Sequence, residues 1–279
     1  MAQDKSIAER LWAITIWALV IFFVLNVIAT IAAVAVNSLG TRWFGAWLPA
    51  GFTTRWYISA WDEFQLNDVL IVTFQMVGAV VLFSGLIGVP AAYALARRNF
   101  PGKQLVIVLF LLPMMIPPIT FGIPLATVLY QLDLGGSLSG VILANLVPTV
   151  PFVVLVMIPF IEQIDPRIEA AGRVFGAGTG RLFLHVLVPL LAPGILAALL
   201  LVLVRTIAMF ELTFFTAGPD SQTLVVALYY AVYAAGVRAN QSIDAMAVVY
   251  MATTLAWLLI ALRFVDPTQI VTRAKRDAH

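Results

Sequence analysis

Uncharged apolar runs of at least 18 residues constrain this chain more than any other feature, and there are six of them. They cover 11 to 36, 69 to 96, 104 to 132, 134 to 161, 186 to 204 with a continuation past Arg205, and 245 to 262. A bilayer's hydrocarbon core is about 30 Å thick and takes about 20 helical residues at about 1.5 Å each, so every run is a candidate membrane span. Backbone polar groups in lipid need partners within the structure, and no run shows the alternation of a membrane barrel strand, so the spans read as helices. Composition agrees, with 62% of residues hydrophobic and 11% charged, against about 25% charged in a water-facing protein. The expected fold class is an all-α integral membrane protein with six transmembrane helices.

A seventh apolar stretch, Leu224 to Ala235, has only 12 residues and suits a helix at or dipping into the interface, so it is not counted as a span. Ala33-Val34-Ala35 resembles a signal-peptidase site, but the apolar segment around it has 26 residues, well beyond the usual signal core of about 7 to 15. It reads as a retained first helix.

Six spans put both termini on one side. That side collects twelve basic residues: Lys5, Arg10, Arg97, Arg98, Lys103, Arg167, Arg173, Arg181, Arg263, Arg273, Lys275 and Arg276. The other side has three, Arg42, Arg55 and Arg238. The bias places both termini in the cytoplasm. The outer segments carry Asp62, Glu63, Asp68, Asp133, Asp220 and Asp244, a formal charge of −3 that mildly favours cations unless these acids merely solvate loops. A net charge of +2 excludes a uniformly basic nucleic-acid binder. With no Cys, disulfide frameworks, zinc–thiolate sites and iron–sulfur clusters are excluded, and His185 lacks metal-binding partners. No cofactor is expected.

Three segments exceed membrane filler. The outer loop from Ser38 to Asn67 concentrates Trp43, Phe44, Trp47, Phe52, Trp56, Tyr57, Trp61 and Phe64, which suit a headgroup boundary or a docking surface. Prolines interrupt the third span (Pro113, Pro117, Pro118, Pro124) and the fourth (Pro148, Pro151, Pro159). Each removes an amide donor, and such breaks persist where neighbouring helices or a cavity satisfy the freed carbonyls.

The third is the connection from Glu162 to His185, far longer than two helices need for a turn. Asp165-Pro166 predicts an N-cap and a first-turn proline, followed by a short helix through Ile168, Ala170, Ala171 and Val174. Gly176, Gly178 and Gly180 are expected to end it, and a second short helix through Leu182 and Phe183 to lead into Pro189 and the fifth span, so that the connection forms a cytoplasmic helical hairpin between the fourth and fifth spans. No Gly-Lys-Ser/Thr follows the glycines, so a phosphate loop is excluded.

This connection resembles that of the inner-membrane permease subunits of binding-protein-dependent ABC importers. Their signature is Glu-Ala-Ala, three residues, Gly, nine residues and Ile-x-Leu-Pro. Here it reads Glu169-Ala170-Ala171-Gly172-Arg173-Val174-Phe175-Gly176, then Val186-Leu187-Val188-Pro189, with the signature's spacing of 13 from Gly176 to Pro189. Glu169 stands one residue too far from Gly176, so either Ala170 takes the acidic place or one residue is inserted. Within the family the chain looks most like the second permease of spermidine/putrescine-type systems. Gly51-Phe52-Thr53-Thr54-Arg55-Trp56-Tyr57, the string from Tyr93 to Lys103, and Gly218-Pro219 carry that likeness.

The resemblance implies a bacterial inner-membrane subunit that forms half of a translocation pathway and hydrolyses no ATP itself. Its implied partners are a second, paralogous permease, two cytoplasmic ATP-binding subunits, an external solute-binding protein and the bilayer. It implies ATPase coupling through Glu169, Ala170, Ala171, Arg173, Val174, Phe175, Gly176, Ala177 and Pro189. The implied divisions are 1–10, a cytoplasmic N-terminus; 11–67, the first span and aromatic outer loop; 68–265, the transporter domain with its coupling loop at 162–185; and 266–279, a basic cytoplasmic tail.

Arg205 and Glu211 interrupt the fifth span, where a charge at bilayer centre costs about 2.5 to 3.5 kcal/mol. Taken on one continuous helix they stand about 120° apart and do not pair. Glu211 then sits near the outer boundary, or faces the pathway with Phe210 and Phe214 and meets an ammonium-bearing solute. The solute expected is a polyamine or related amine. Opines, aminoethylphosphonate and iron are alternatives within the class, and a stand-alone secondary transporter or membrane enzyme is the alternative outside it. No repeated halves of the secondary-carrier kind are visible.

Overall fold

A computed structural model describes residues 7–43, 46–233 and 239–264. Lys5, Phe44, Arg238, Arg273, Lys275, Arg276, the 266–279 tail, most of the 1–10 segment and the side chain of Arg10 lie outside the described residues. Among those described, the chain is helical, and its only extended pairings are isolated bridges between Gly40 and Phe52 and between Gly136 and Ala217.

Among the described residues, five helices are long and apolar enough to cross a membrane, and a sixth crossing results if one bent pair counts as a span. The long ones are α1 (Ile7–Leu39), α3 (Leu66–Arg97), α6 (Leu138–Glu162), α9 (Val188–Ile207), which is continuous with the helical turns before it, and α12 (Asn240–Phe264). The bent pair is α4 (Lys103–Met115) and α5 (Pro118–Gln131), which meet at 102°. The chain is thus an all-α multi-pass membrane protein.

The expected third span is therefore not one rod. Pro117 and Pro118 are consecutive, so Ile116 and Pro117 both precede a proline and both are driven from the helical region. They adopt ψ of 131° and 134°. Pro148, Pro151 and Pro159, by contrast, all lie inside the single helix α6. Isolated prolines disturb one turn each, and here neighbouring spans hold the helix together.

The chain divides into two compact units, Met1–Phe64 with Ala231–Val249, and Gln65–Tyr230 with Tyr250–His279. In the first, residues 11–33 of α1 are exposed throughout. The end of α1 is anchored: Asn37 Nδ2 donates to Asp244 Oδ2 at 2.5 Å, and the Ser38 and Tyr57 hydroxyls lie 2.8 Å apart. The aromatic loop is partly built into this corner. Trp56 Nε1, on α2 (Arg55–Glu63), donates to Gly40 O at 2.7 Å, whereas Trp47 is 98% exposed.

The second unit holds the main core, where α3, α6 and α9 bury Met76, Val77, Val80, Val153, Val154, Met157, Ala198 and Val202. Lipid tails are as apolar as these side chains, so close backbone approach, not hydrophobicity, brings such helices together. A Cβ on Gly88 of α3 would lie 2.7 Å from Val153 of α6, and one on Gly194 of α9 would lie 2.8 Å from Phe160 of α6. The expected interfacial stretch folds as α11 (Leu224–Tyr233), whose ten residues fall short of a crossing. Leu224 N donates to Thr73 Oγ1 of α3 at 2.8 Å, which seats its start in this unit.

Candidate functional site

The Glu162 to His185 connection folds largely as its sequence predicts up to Gly178. Asp165 caps α7 (Pro166–Val174), its carboxylate accepting from Arg167 N at 2.9 Å. The helix stops at Gly176, whose φ of +79° places it in the left-handed region. Gly176 N donates to Arg173 O at 2.9 Å and Ala177 N to Gly172 O at 3.0 Å, the paired bonds of a Schellman terminus.

The second half differs from expectation. Gly180 does not break a helix but lies within α8 (Thr179–Leu182). A wide π turn, Phe183–Leu187, then carries α8 into α9, giving one helical stretch from Thr179 to Ile207. The separate second helix of a hairpin is thus the first turn of the following span.

Exposure separates the residues singled out from sequence. Ala170, Ala171, Arg173 and Gly176 are exposed, and Ala177 is half-buried. Val174 and Phe175 are 84% and 90% exposed. Pro189 is exposed at the start of α9, away from this tip in sequence.

Glu169, whose place in the signature the sequence leaves open between itself and Ala170, is buried at only 6% exposed, unlike the neighbouring Ala170, Ala171 and Arg173. Its Oε1 accepts from Arg97 Nε at 2.7 Å and its Oε2 from Tyr93 Oη at 2.7 Å. Arg97 also donates through a terminal nitrogen to Ile164 O at 2.6 Å. Tyr93 and Arg97 were missed as site residues. They stand four apart at the end of α3 and so share a face, which is the one signal their sequence carries. A cavity of about 790 Å³ opens beside them, lined in part by Arg98, Arg173 and Thr179.

Arg205 and Glu211 do not share a helix. α9 ends at Ile207, and a new helix, α10 (Glu211–Thr216), begins after Ala208, Met209 and Phe210. The 120° separation derived for a continuous helix therefore does not apply. Arg205 lies in the last turn of α9 and Glu211 opens α10, so each charge opposes the partial charge of its helix end. Neither forms an ion pair among the described residues. The Arg205 guanidinium instead lies 5.5 Å from the centre of the Phe152 ring of α6.

Phe210 and Phe214 do come together, their rings stacked at 5.1 Å. Two residues that sequence reasoning passed over join them. Tyr229 lies 5.0 Å from Phe210 and 5.2 Å from Phe214, and Tyr230 lies 5.7 Å from Phe214. Both belong to α11. The half-buried Glu211 therefore adjoins, in sequence, a cluster of five rings, Phe210, Phe214, Phe215, Tyr229 and Tyr230, from α10 with its N-cap and from α11. Below it, Asn145 of α6 is fully buried and donates to Thr213 Oγ1 of α10 at 3.2 Å.

Comparison with known proteins agrees with this architecture. Residues 84–270 match the family described as binding-protein-dependent transport system inner membrane component. The molybdenum transport system permease protein ModB of Haemophilus influenzae is 34% identical over 166 residues, covering 53% of this chain and 72% of that protein. The trehalose transport system permease protein SugB of Mycobacterium tuberculosis is 36% identical over 139 residues, covering 50% of this chain and 49% of that protein. The sulfoquinovosyl glycerol transport system permease protein SmoH of Agrobacterium fabrum is 31% identical over 183 residues, covering 65% and 64%. In fold, the chain is similar to one in the crystal structure of a bacterial ABC transporter involved in the import of the acidic polysaccharide alginate. The TM-score is 0.78 at 17% identity, over 95% of this chain and 100% of that one.

Proposed function

This chain belongs to the family of binding-protein-dependent transport system inner membrane components, and on that premise we propose how it works within an ATP-driven importer. It is a transport subunit, not an enzyme. It forms half of a translocation pathway beside a paralogous permease, receives solute from an external binding protein, and is driven by two cytoplasmic ATP-binding subunits. The inner membrane of a bacterium is its location, with both termini in the cytoplasm.

The observation that carries this reading is the tip of the α7 connection. Val174 and Phe175 are large, apolar and bare, yet they form the last residue and C-cap of a capped helix outside the long spans. A partner protein that covers Phe175 removes an aromatic ring from water, the usual anchor of an interface. Ala170, Ala171, Arg173, Gly176 and Ala177 complete the surface offered to the ATPase. Closure of the ATPase pair then shifts this tip and, through α6 and α9, turns the pathway from outward to inward access.

Glu211, with Phe210, Phe214, Tyr229 and Tyr230, is the proposed recognition point for an amine-bearing solute, a polyamine in the first instance. A carboxylate beside electron-rich ring faces suits an ammonium group. A second reading, transport of molybdenum as an oxyanion, is favoured by the likeness to ModB, with Arg205 as the attracting charge. The deciding experiment reconstitutes the chain with its second permease, ATPase and binding protein in vesicles. ATP-dependent uptake of spermidine supports the first reading, and uptake of molybdate instead replaces it. Failure of the ATPase to bind the permease pair removes the importer reading altogether.

A further inference from the structure

We propose that Arg97 is a positioning residue that ties α7 to the end of α3, so that movement of the ATPase reaches α3 directly through the Glu169 carboxylate. The inference rests on the importer reading above and names a route of transmission within it.

Sequence order gives the ATPase only two covalent handles on the membrane spans, since α7 is joined to α6 before it and to α8 and α9 after it. α3 is remote along the chain, with Arg97 and Glu169 72 residues apart. The geometry adds a third handle. Both oxygens of Glu169 are engaged, one by the Arg97 guanidinium and the other by the Tyr93 hydroxyl, each at 2.7 Å. The same guanidinium holds Ile164 O at 2.6 Å, immediately before the Asp165 cap of α7. One arginine thus grips α7 and the residue leading into it.

A carboxylate with a relative exposure of 6% and no free oxygen is not a contact for another subunit. The ion pair is held between side chains 15% and 8% exposed, where water competes weakly. A guanidinium fork bonded at two points resists rotation as well as separation. α3 in turn packs along α6 and against α9, so a displacement passed to Arg97 reaches the centre of the core. On the other side the Leu182 side chain of α8 packs close against Gly172 of α7, where a Cβ would lie 2.6 Å from its tip.

The chain has no cysteine, so one introduced thiol reports only its own position. Gly78 of α3 is exposed with nothing within 4 Å of a Cβ, which makes Gly78→Cys a suitable labelling site. In the assembled complex carrying a spin label there, the spectrum is compared with and without ATP and vanadate. The expected result is a nucleotide-dependent change that falls at least tenfold in Arg97→Ala, while the ATPase stays bound and continues to hydrolyse ATP. The exchanged pair Arg97→Glu with Glu169→Arg should recover at least part of the amplitude, which a packing defect would not do. Glu169→Gln keeps the shape of the side chain and serves if Arg97→Ala fails to assemble.

An unchanged amplitude in Arg97→Ala or Glu169→Gln overturns the proposal, as does a wild-type label that does not respond although the ATPase is bound and active. Equal loss of assembly in the single and exchanged variants also overturns it, and makes the contact structural only. If the wild-type chain does not bind the ATPase, the importer reading is what fails.

Discussion

Glu169 and Phe175 stand six residues apart on one short helix and its cap, and they are 6% and 90% exposed. The helix is therefore held at one end and offered at the other. Replacing Phe175 with Ser should leave folding within about 0.5 kcal/mol of wild type, because nine-tenths of the residue is exposed. Affinity for the ATPase should fall by about 2 kcal/mol or more, roughly 30-fold. Membrane level and co-purification of the ATPase measure the two effects, and undiminished co-purification would remove Phe175 from the interface.

Gly176 isolates a backbone effect. Its φ is +79° and nothing lies within 4 Å of a Cβ, so Gly176→Val adds no clash but strains the left-handed turn by about 1–2 kcal/mol. Gly178 has the same open space with an ordinary φ of −66°. Gly176→Val should abolish ATP-dependent uptake with the chain still inserted, and Gly178→Val should leave uptake near normal. Equal behaviour of the two variants would rule out the turn as the cause.

The glycines of α3 divide by position. A Cβ on Gly88 meets Val153 at 2.7 Å, whereas one on Gly78 meets nothing. Gly88→Leu should destabilise the bundle by about 1–3 kcal/mol as an overpacked contact, seen as a lower melting point in detergent. Gly78→Leu should melt no lower than wild type, since Leu is also the better helix former; a similar drop in both would mean that the contact with Val153 does not control the result.

How legible this was in the sequence depends on the range of the interaction. Hydrophobic runs located the spans, and Asp165-Pro166 located the start of α7, because both signals are contained within a few turns. The break between α4 and α5 was partly legible: prolines marked the region, but only their pairing at Pro117-Pro118 distinguishes a 102° bend from the unbroken α6. The break after Ile207 carries no Gly or Pro at Ala208, Met209 or Phe210, so nothing local announced it. The burial of Glu169 was not legible, because its partners are 72 and 76 residues away. In the sequence Tyr229 and Tyr230 are part of an apolar stretch, and their stacking against Phe210 and Phe214 is decided by tertiary contact.

Glu211→Gln tests recognition of an amine. Because the carboxylate forms no ion pair among the described residues, the amide should fold normally and should lower spermidine uptake by about tenfold, as loss of one charge-assisted contact of about 1.4 kcal/mol would do. Spermidine affinity of the isolated binding protein should not change. An unaltered uptake rate would assign Glu211 to the helix start alone.

Topology can be read with a reporter active only outside the cytoplasm, fused after His279. The count of six crossings, with α4 and α5 forming one and α11 none, requires silence. Ten residues at about 1.5 Å each give α11 about 15 Å, half of a hydrocarbon core. Activity of the reporter would mean an odd number of crossings.

The wide turn at Phe183–Leu187 changes the arithmetic of the chain. Val188 N donates to Phe183 O, five residues back, so this turn holds one residue more than a regular helix would. Each residue of a helix carries about 100° of rotation. Removing one residue here would tighten the turn to an ordinary one and keep the phase between Thr179 and the buried face of α9. Removing one from α9 itself would rotate Ala198 and Val202 out of the core. The spacing of 13 from Gly176 to Pro189 is then a count of turns as much as a pattern of residues, and a chain one residue shorter at this place can present the same two faces.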